Sequence, residues 1–301
     1  VGKEGITKSG LRKGIAFFTP AFENNVTPSL QLLLMRFSLF PPKSNSSTSS
    51  IEESFVQAGH GSRVVVFLHG LFGSTEHWTG TMEHLAKDYR SIAIRLPLDR
   101  KGDRRNHGVQ SIAELTDMVA GSLAAAKVDG PVVLVGNSLG GLLSIDYALK
   151  YPERVCGLVL AGSAGLQERS LTDGNKPKAT REFVRGVIGG IFYDQALVTD
   201  ELVEDWFETM SDRNYTRFIL RISRATRDRN VQQELHQIDT PTLIVWGMND
   251  QITPPEVGRH FQSSIRGSKL VFLDSCGHVP NVEQPDQFNQ QLTDFLPQCF
   301  S

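Results

Sequence analysis

Apolar residues fall along this chain in two alternating rhythms. Short, nearly unbroken runs rich in β-branched residues recur at 63–68 (RVVVFL), 91–96 (SIAIRL), 132–135 (VVLV), 155–161 (VCGLVLA), 242–246 (TLIVW) and 270–273 (LVFL). Runs of this length and character predict strands buried on both faces. Between them the spacing changes to that of a helix. Ile112, Leu115, Val119 and Leu123 mark one apolar face over residues 111–126, and Leu142, Leu143, Ile145, Tyr147, Ala148 and Leu149 mark another. Strands alternating with helices in this way predict an α/β fold with a mostly parallel central sheet flanked by helices.

The rhythm breaks at residue 163 and resumes near 241. Within that interval, residues 181–191, 200–210, 215–227 and 231–238 all carry amphipathic helical spacing. So much helix between two buried strands predicts a cap over the edge of the sheet where open α/β sheets bind ligands. The expected organisation is a core made of residues 51–162 and 241–301, a helical cap at 163–240, and an N-terminal extension at 1–50. In the extension the apolar piece at 29–40 is interrupted by Arg36 and lies too far along to read as a secretory signal. Lys3, Lys8, Arg12 and Lys13 leave a targeting segment open, and Met35 is a candidate start in a chain that begins with Val1. The Ser/Thr-rich stretch up to Ser50 reads as a flexible linker.

Composition narrows the function classes. A hydrophobic content of 40% with 21% charged residues describes an ordinary globular protein. Thirty-one Lys+Arg against 33 Asp+Glu leave a net charge of -2, so no basic field points to nucleic acid. Cys156, Cys276 and Cys299 are widely spaced, with no C-x-x-C pair and no zinc-ligand spacing, which favours a reducing compartment or indifference to redox state; the expected location is the cytoplasm. No apolar run approaches the ~20 residues of a membrane span.

The candidate chemistry begins at Gly136-Asn137-Ser138-Leu139-Gly140, a G-x-S-x-G pattern with a predicted strand before it and a predicted helix after it. Glycines allow strand and helix to crowd around a serine on a sharp turn, and the turn presents its hydroxyl at the carboxyl edge of the sheet. The other reading of the same residues is a glycine-rich loop whose serine caps the helix. His69-Gly70-Leu71 leaves the 63–68 strand in a tight exit that lets backbone approach a reacting oxygen. The N–H groups of Leu71 and Leu139 together make a candidate oxyanion hole. Asp250 closes the turn after the 242–246 strand, and His278 lies in the loop after the 270–273 strand. The order Ser138, Asp250, His278 is that of one known triad arrangement. Asp274 is the rival acid, too close to His278 in sequence to reach easily behind its ring. Cys276 reads as a packing residue and His69 as a structural hydrogen bonder, while His77, Trp78 and His84, on what reads as the next helix, are packing or surface residues. Arg217, Arg221, Arg224, Arg227 and Arg229 read as a solvated face of the cap.

With these pieces in order, the chain from about residue 51 to residue 300 resembles the α/β-hydrolase superfamily. The motifs that carry the resemblance are His69-Gly70-Leu71-Phe72-Gly73, Gly136-Asn137-Ser138-Leu139-Gly140-Gly141, Gly247-Met248-Asn249-Asp250, and Gly277-His278-Val279-Pro280 with Glu283 and Pro285. It implies an eight-stranded sheet, a helical cap and a triad of Ser138 as nucleophile, His278 as base and Asp250 as orienter, with no metal or organic cofactor. One segment departs from the pattern: residues 98–108 form a longer, charged loop where relatives carry an Asp-x-x-Gly-x-Gly-x-Ser-like turn. The leading functional expectation is a carboxylic ester hydrolase acting on a small-molecule ester and water. A carbon–carbon bond hydrolase of ring-cleavage dienoates would use the same triad, and the Gly136-Asn137-Ser138 turn resembles that family too. A hydrolase-fold protein that binds a ligand without turnover is the third reading.

Overall fold

In the computed structural model, residues 54–98, 108–168 and 180–301 are described. The expected N-terminal extension, most of the charged loop (99–107) and part of the expected cap (169–179) lie outside the described residues. Seven strands form one sheet: β1 (Phe55–Ala58), β2 (Val64–Leu68), β3 (Arg90–Ile94), β4 (Val132–Asn137), β5 (Val155–Ala161), β6 (Thr242–Gly247) and β7 (Lys269–Leu273). Their order is β1-β3-β2-β4-β5-β6-β7. Only β1 runs antiparallel, against β3, and all other neighbours are parallel. The resemblance implied eight strands, and the described residues form seven. β1 had no signal in the sequence, because an edge strand of four half-buried residues has neither a long apolar run nor a clean alternation.

The continuous apolar runs are explained by burial on both sides. Alternate residues of a strand point to opposite faces. Val64, Val66 and Leu68 of β2 join one cluster with Leu134, Leu158, Leu160 and Trp246. Val65 and Phe67 join another with Val133, Val135, Val159 and Val245. Helices α1 (Thr79–Leu85), α2 (Ile112–Ala125) and α3 (Leu139–Lys150) follow β2, β3 and β4. The apolar face of α2, through Leu115, Val119 and Leu123, packs on the first cluster with Leu142 and Leu143 of α3. Met82 and Leu85 of α1 close the second. Ser111 caps α2 by accepting the Glu114 N–H at 3.2 Å while donating to the Glu114 carboxylate, a reciprocal arrangement legible in the S-x-x-E spacing.

Between β5 and β6 lie α4 (Arg181–Ile191), α5 (Asp200–Ser211) and α6 (Arg213–Asp228), each close to its predicted limits. Thr180, Thr199 and Asp212 cap them with side-chain oxygens. The predicted helix at 231–238 is instead a set of turns with a short 3-10 segment at Leu235–Gln237. Its periodicity reported burial correctly, since Val231, Leu235 and Ile238 are all buried. The start of the segment is pulled out of helical geometry. The Val231 N–H donates to Gly165 O (2.9 Å), and the Asn230 side chain accepts from Gln232 N–H (2.9 Å). Helices α7 (Pro255–Ser264), α8 (Pro280–Glu283) and α9 (Pro285–Phe295) complete the chain, with Phe288, Leu292 and Phe295 of α9 in the second cluster.

Of the five arginines read as a solvated face, Arg229 has another role, and Arg227, though exposed, also borders the cavity described below. Arg229 donates to Asp146 on α3 (Nη2 to Oδ1, 2.7 Å) and to Glu234 (Nη1 to Oε1, 2.6 Å), tying the 231–238 segment to α3. Arg217 and Arg224 are exposed as expected.

Candidate active site

The strand order reverses between β2 and β4, the place where open α/β sheets gather ligands beyond their carboxyl ends. Ser138 follows β4 there, with φ 54° and ψ -119°. A side chain at positive φ is strained, and the neighbouring glycines show why the turn persists. A Cβ on Gly140 would lie 2.0 Å from Leu68 O, and one on Gly136 would lie 2.2 Å from Gly140 O. Strand, turn and helix are therefore in backbone contact, and no side chain fits between them. Ser138 occupies the position before α3 yet makes no capping hydrogen bond with its side chain. That removes the reading of Ser138 as a helix cap.

His278 follows β7 and is buried. Its Nδ1–H donates to Asp250 Oδ2 at 2.8 Å. Asp250, after β6, is saturated with donors. Its Oδ1 accepts the Ile252 N–H (2.8 Å) and the Thr253 N–H (2.9 Å), and its Oδ2 accepts the Thr253 hydroxyl (2.8 Å). Asp274, the rival acid, is exposed on the strand exit. Burial works against the His278 cation. The charge and hydrogen bond of Asp250, with Glu168 and Glu283 adding smaller attraction, outweigh it and hold the ring above its ordinary pKa.

Backbone links fix the loops to each other. The Asn137 amide donates to Ala161 O (3.0 Å) and to His278 O (2.9 Å), joining the serine turn, β5 and the histidine loop. The Glu283 carboxylate accepts Gly277 N–H (2.9 Å) and Tyr193 N–H (2.7 Å), joining the histidine loop to the residues after α4. His278 N–H donates to Ile191 O (2.8 Å) across the same junction. His69 is a structural hydrogen bonder, with Nδ1–H donating to Gly70 O (2.9 Å) and Nε2 accepting from Leu96 N–H (3.3 Å). Cys276 is fully buried, and burial pushes its thiol far up, which makes it a packing residue.

The Alpha/beta hydrolase family model matches residues 65–291. The chain belongs to that family. Among curated relatives, the 2-hydroxy-6-oxononadienedioate/2-hydroxy-6-oxononatrienedioate hydrolase of Escherichia coli is 31% identical over 85% of this chain and 98% of its own length. A solved meta-cleavage product hydrolase from Pseudomonas fluorescens is 27% identical with a TM-score of 0.71, covering 81% of this chain and 93% of the other. A solved N-acyl homoserine lactone degrading enzyme is 25% identical with a TM-score of 0.67, covering 80% and 95%. This α/β hydrolase therefore shares its fold with enzymes named for different substrates.

In this α/β hydrolase one cavity meets Ser138, Leu139, His278 and the Gly70–Gly73 turn on the sheet side. Leu139 opens α3, so its N–H has no carbonyl partner within the helix. The turn holding Leu71 is closed by a bond from Gly73 N–H to Gly70 O (3.0 Å), which leaves the Leu71 amide out of that bond. Ile191, Phe192, Trp206, Ser223, Thr226 and Arg227 wall the cavity from the helical segment. His77, expected to be a packing or surface residue, also borders it, whereas Trp78 is buried against Phe67 (5.1 Å between ring centroids) and His84 is on the surface with Thr293, as that reading allowed.

Sequence reasoning missed Thr253 and Glu168. Thr253 had a signal, because an aspartate accepting the N–H groups two and three residues on is a common turn device. Glu168, on the same cavity, had none.

Proposed function

We propose that this chain is a serine hydrolase that cleaves carboxylic esters through an acyl-enzyme. Ser138 is the nucleophile, and His278 takes its proton and returns it to the leaving alcohol. Asp250 fixes the His278 tautomer and stabilises the imidazolium. The Leu71 and Leu139 amides receive the oxyanion, and water then attacks the acyl-enzyme. The observation that carries this reading is the strained, uncapped Ser138 on the cavity bordered by His278, whose Nδ1–H is committed to Asp250 at 2.8 Å and whose Nε2 is thereby the basic nitrogen. Residues 163–240 act as the cap that shapes the acyl and alcohol sites. The mechanism requires no metal or organic cofactor.

The charge balance of the cavity favours a neutral substrate. Among the described residues, Arg227 is balanced there by the Glu168 carboxylate, so no surplus positive charge greets an anion. The second reading, hydrolysis of a carbon–carbon bond in a ring-cleavage dienoate, is favoured by the 31% identity to an enzyme named for that substrate class. The neighbour named for degrading N-acyl homoserine lactones, substrates that contain a cyclic ester beside an amide, is compatible with the first.

Steady-state assays with p-nitrophenyl acetate, butyrate and longer acyl esters test the choice, with Ser138→Ala at equal concentration as control. Turnover that disappears in Ser138→Ala supports ester hydrolysis, and the chain-length profile reads the depth of the cavity. Equal, poor rates in both proteins sink it. Loss of the dienoate chromophore on a ring-cleavage product, again dependent on Ser138, would then establish the second reading.

A further inference from the structure

Glu283 is part of the histidine-loop motif, yet the proposed mechanism gives it no role. It is the last residue of α8, and its carboxylate turns back on the chain. Oε1 accepts the Gly277 N–H at 2.9 Å, and Oε2 accepts the Tyr193 N–H at 2.7 Å. The first bond alone would close a local turn. The second reaches out of the loop to the residues just beyond α4.

The junction that these bonds cross is a contact of backbone with backbone. A Cβ on Gly277 would lie 2.5 Å from Ile191 O, 2.8 Å from Tyr193 N and 2.9 Å from Glu283 Oε1. A glycine is what lets the histidine loop come so close to the end of α4. Within the same contact the His278 N–H donates to Ile191 O at 2.8 Å. Ile191 and Phe192 also wall the cavity that Ser138 and His278 border. One short stretch, 191–193, therefore both shapes the cavity and anchors the loop of the base.

The other restraints on this loop come from the sheet. Asp250 accepts from the His278 ring at 2.8 Å, and the Asn137 amide donates to the His278 carbonyl at 2.9 Å. The peptide joining Cys276 to Gly277 is gripped at both ends. Its carbonyl accepts the Asn249 N–H at 2.9 Å, and its N–H donates to Glu283. Without the Glu283 end, a glycine backbone next to the base would turn about a single pivot. Both groups that reach Glu283 are N–H donors, so the position calls for two acceptor oxygens, and a carboxylate supplies them.

We propose that Glu283 is a positioning residue for His278: it clamps the histidine loop onto the end of α4, so that the helical segment helps to fix where the base stands relative to Ser138. The proposal rests on the triad reading for what the base does. It adds that the base is aligned from the helical side as well as from the sheet.

Kinetics of Glu283→Ala and Glu283→Gln test the clamp, expressed per active serine as counted by the final extent of fluorophosphonate labelling. Misplacing a catalytic group by about 1 Å costs on the order of 10²-fold, so Glu283→Ala should lose about that much in kcat. Its KM should stay within about threefold of wild type, as when an interaction serves the transition state rather than binding. Glu283→Gln keeps one acceptor oxygen and should recover part of the loss. A glutamate that serves folding alone would lower the number of labelled serines and leave the rate per serine unchanged. A charge acting on His278 from a distance would make Glu283→Gln as slow as Glu283→Ala. Either result overturns the clamp.

The far-downfield proton resonance of His278 Nδ1–H, assigned by its loss in Asp250→Asn, reads the alignment without turnover. It should broaden or shift in Glu283→Ala and return towards its wild-type position in Glu283→Gln; an unmoved resonance in Glu283→Ala overturns the proposal. Should Glu283→Ala fail to fold, Glu283→Gln decides alone. A slower rate per serine with a displaced resonance sustains the clamp, and wild-type values of both overturn it. A wild-type protein that is neither labelled nor active sinks the triad reading instead, and the resonance still judges Glu283.

Discussion

The carboxyl edge of the sheet and the helical segment beyond β5 meet at one cavity but are held in different ways. At the sheet edge the side chains that support Ser138 are each held by several hydrogen bonds. Asp250 accepts from two backbone amides, a hydroxyl and an imidazole, and Asn137 bridges two loops with one amide group. A Cβ on Gly162, itself at φ 49°, would lie 2.9 Å from His278 O and 3.2 Å from Asp250 Oδ2, so even the empty space there is specified. The helical segment instead rests on amphipathic faces such as Phe218, Ile219 and Ile222 of α6, with ion pairs at its rim. Many apolar side chains satisfy that kind of packing with modest losses. The edge fixes which chemistry is possible, and the helices leave room to change what is bound.

The sharpest way to break this contrast is a substitution at the sheet edge that preserves shape. Asp250→Asn keeps the volume but offers His278 an amide where a carboxylate stood. Under the proposed mechanism kcat falls by about 10⁴-fold, as in other triads where this change selects the wrong tautomer. The same substitution removes the charge that raises the His278 pKa against burial. The base must be neutral to act, so the acid limb of the wild-type kcat/KM profile lies above the ~6.5 of free imidazole and moves to lower pH in Asp250→Asn. A limb that stays put would mean that His278 is not the titrating base.

How much was legible in the sequence follows the same division. Ser138, Asp250 and His278 could be located because each follows a strand, buried for β4 and β6 and half-buried for β7, and a strand of apolar residues announces its own end. The limits of α4 to α6 could be read because their apolar faces have one clear period and their caps are Thr and Asp. The rest depends on contacts between distant segments. Arg229 looked like one more surface cation until Asp146, 83 residues away, was placed beside it. His77 and Glu168 border the cavity only because the chain crossings bring them there, and no local spacing encodes that. The 231–238 segment shows the limit of periodicity: burial at a spacing of four and three residues fits a run of turns as well as a helix.

Glu283 lies on the boundary between the two regions, which makes it the next test. Burial raises its carboxyl to about 7, although the N–H groups of Tyr193, Gly277 and Val279 favour the anion. The folded protein therefore binds this proton more tightly than the unfolded chain, whose value is near 4.5. Stability from this group is present below pH 4.5 and is lost as pH rises through about 7. The shift corresponds to a few kcal/mol, about 3 at most. Chemical denaturation at pH 5 and pH 8 should show wild type losing more stability across that interval than Glu283→Gln. If both lose the same amount, the carboxyl titrates normally and the junction is more open to water than its hydrogen bonds indicate.

The smallest effects separate the two kinds of ion pair at the helical segment. Arg229 is partly buried and bidentate to Asp146, whose carboxyl is held up by burial and pulled down by that guanidinium. Removing the arginine leaves a half-desolvated carboxylate behind, so Arg229→Ala should cost about 2 kcal/mol, below the range for a fully buried pair because its side chain still reaches water. Arg181 makes an equally short, two-pronged contact with Glu204 on the rim, but both side chains are largely exposed. Water replaces what such a pair supplies, and two long side chains regain their freedom. Arg181→Ala should therefore leave the Tm unchanged within error, while Arg229→Ala lowers it by several degrees. Equal shifts would mean that hydrogen-bond geometry governs these pairs. Unequal shifts in the expected direction would show that burial governs them, and that the segment is anchored to the sheet layer through Asp146 and free to vary at its rim.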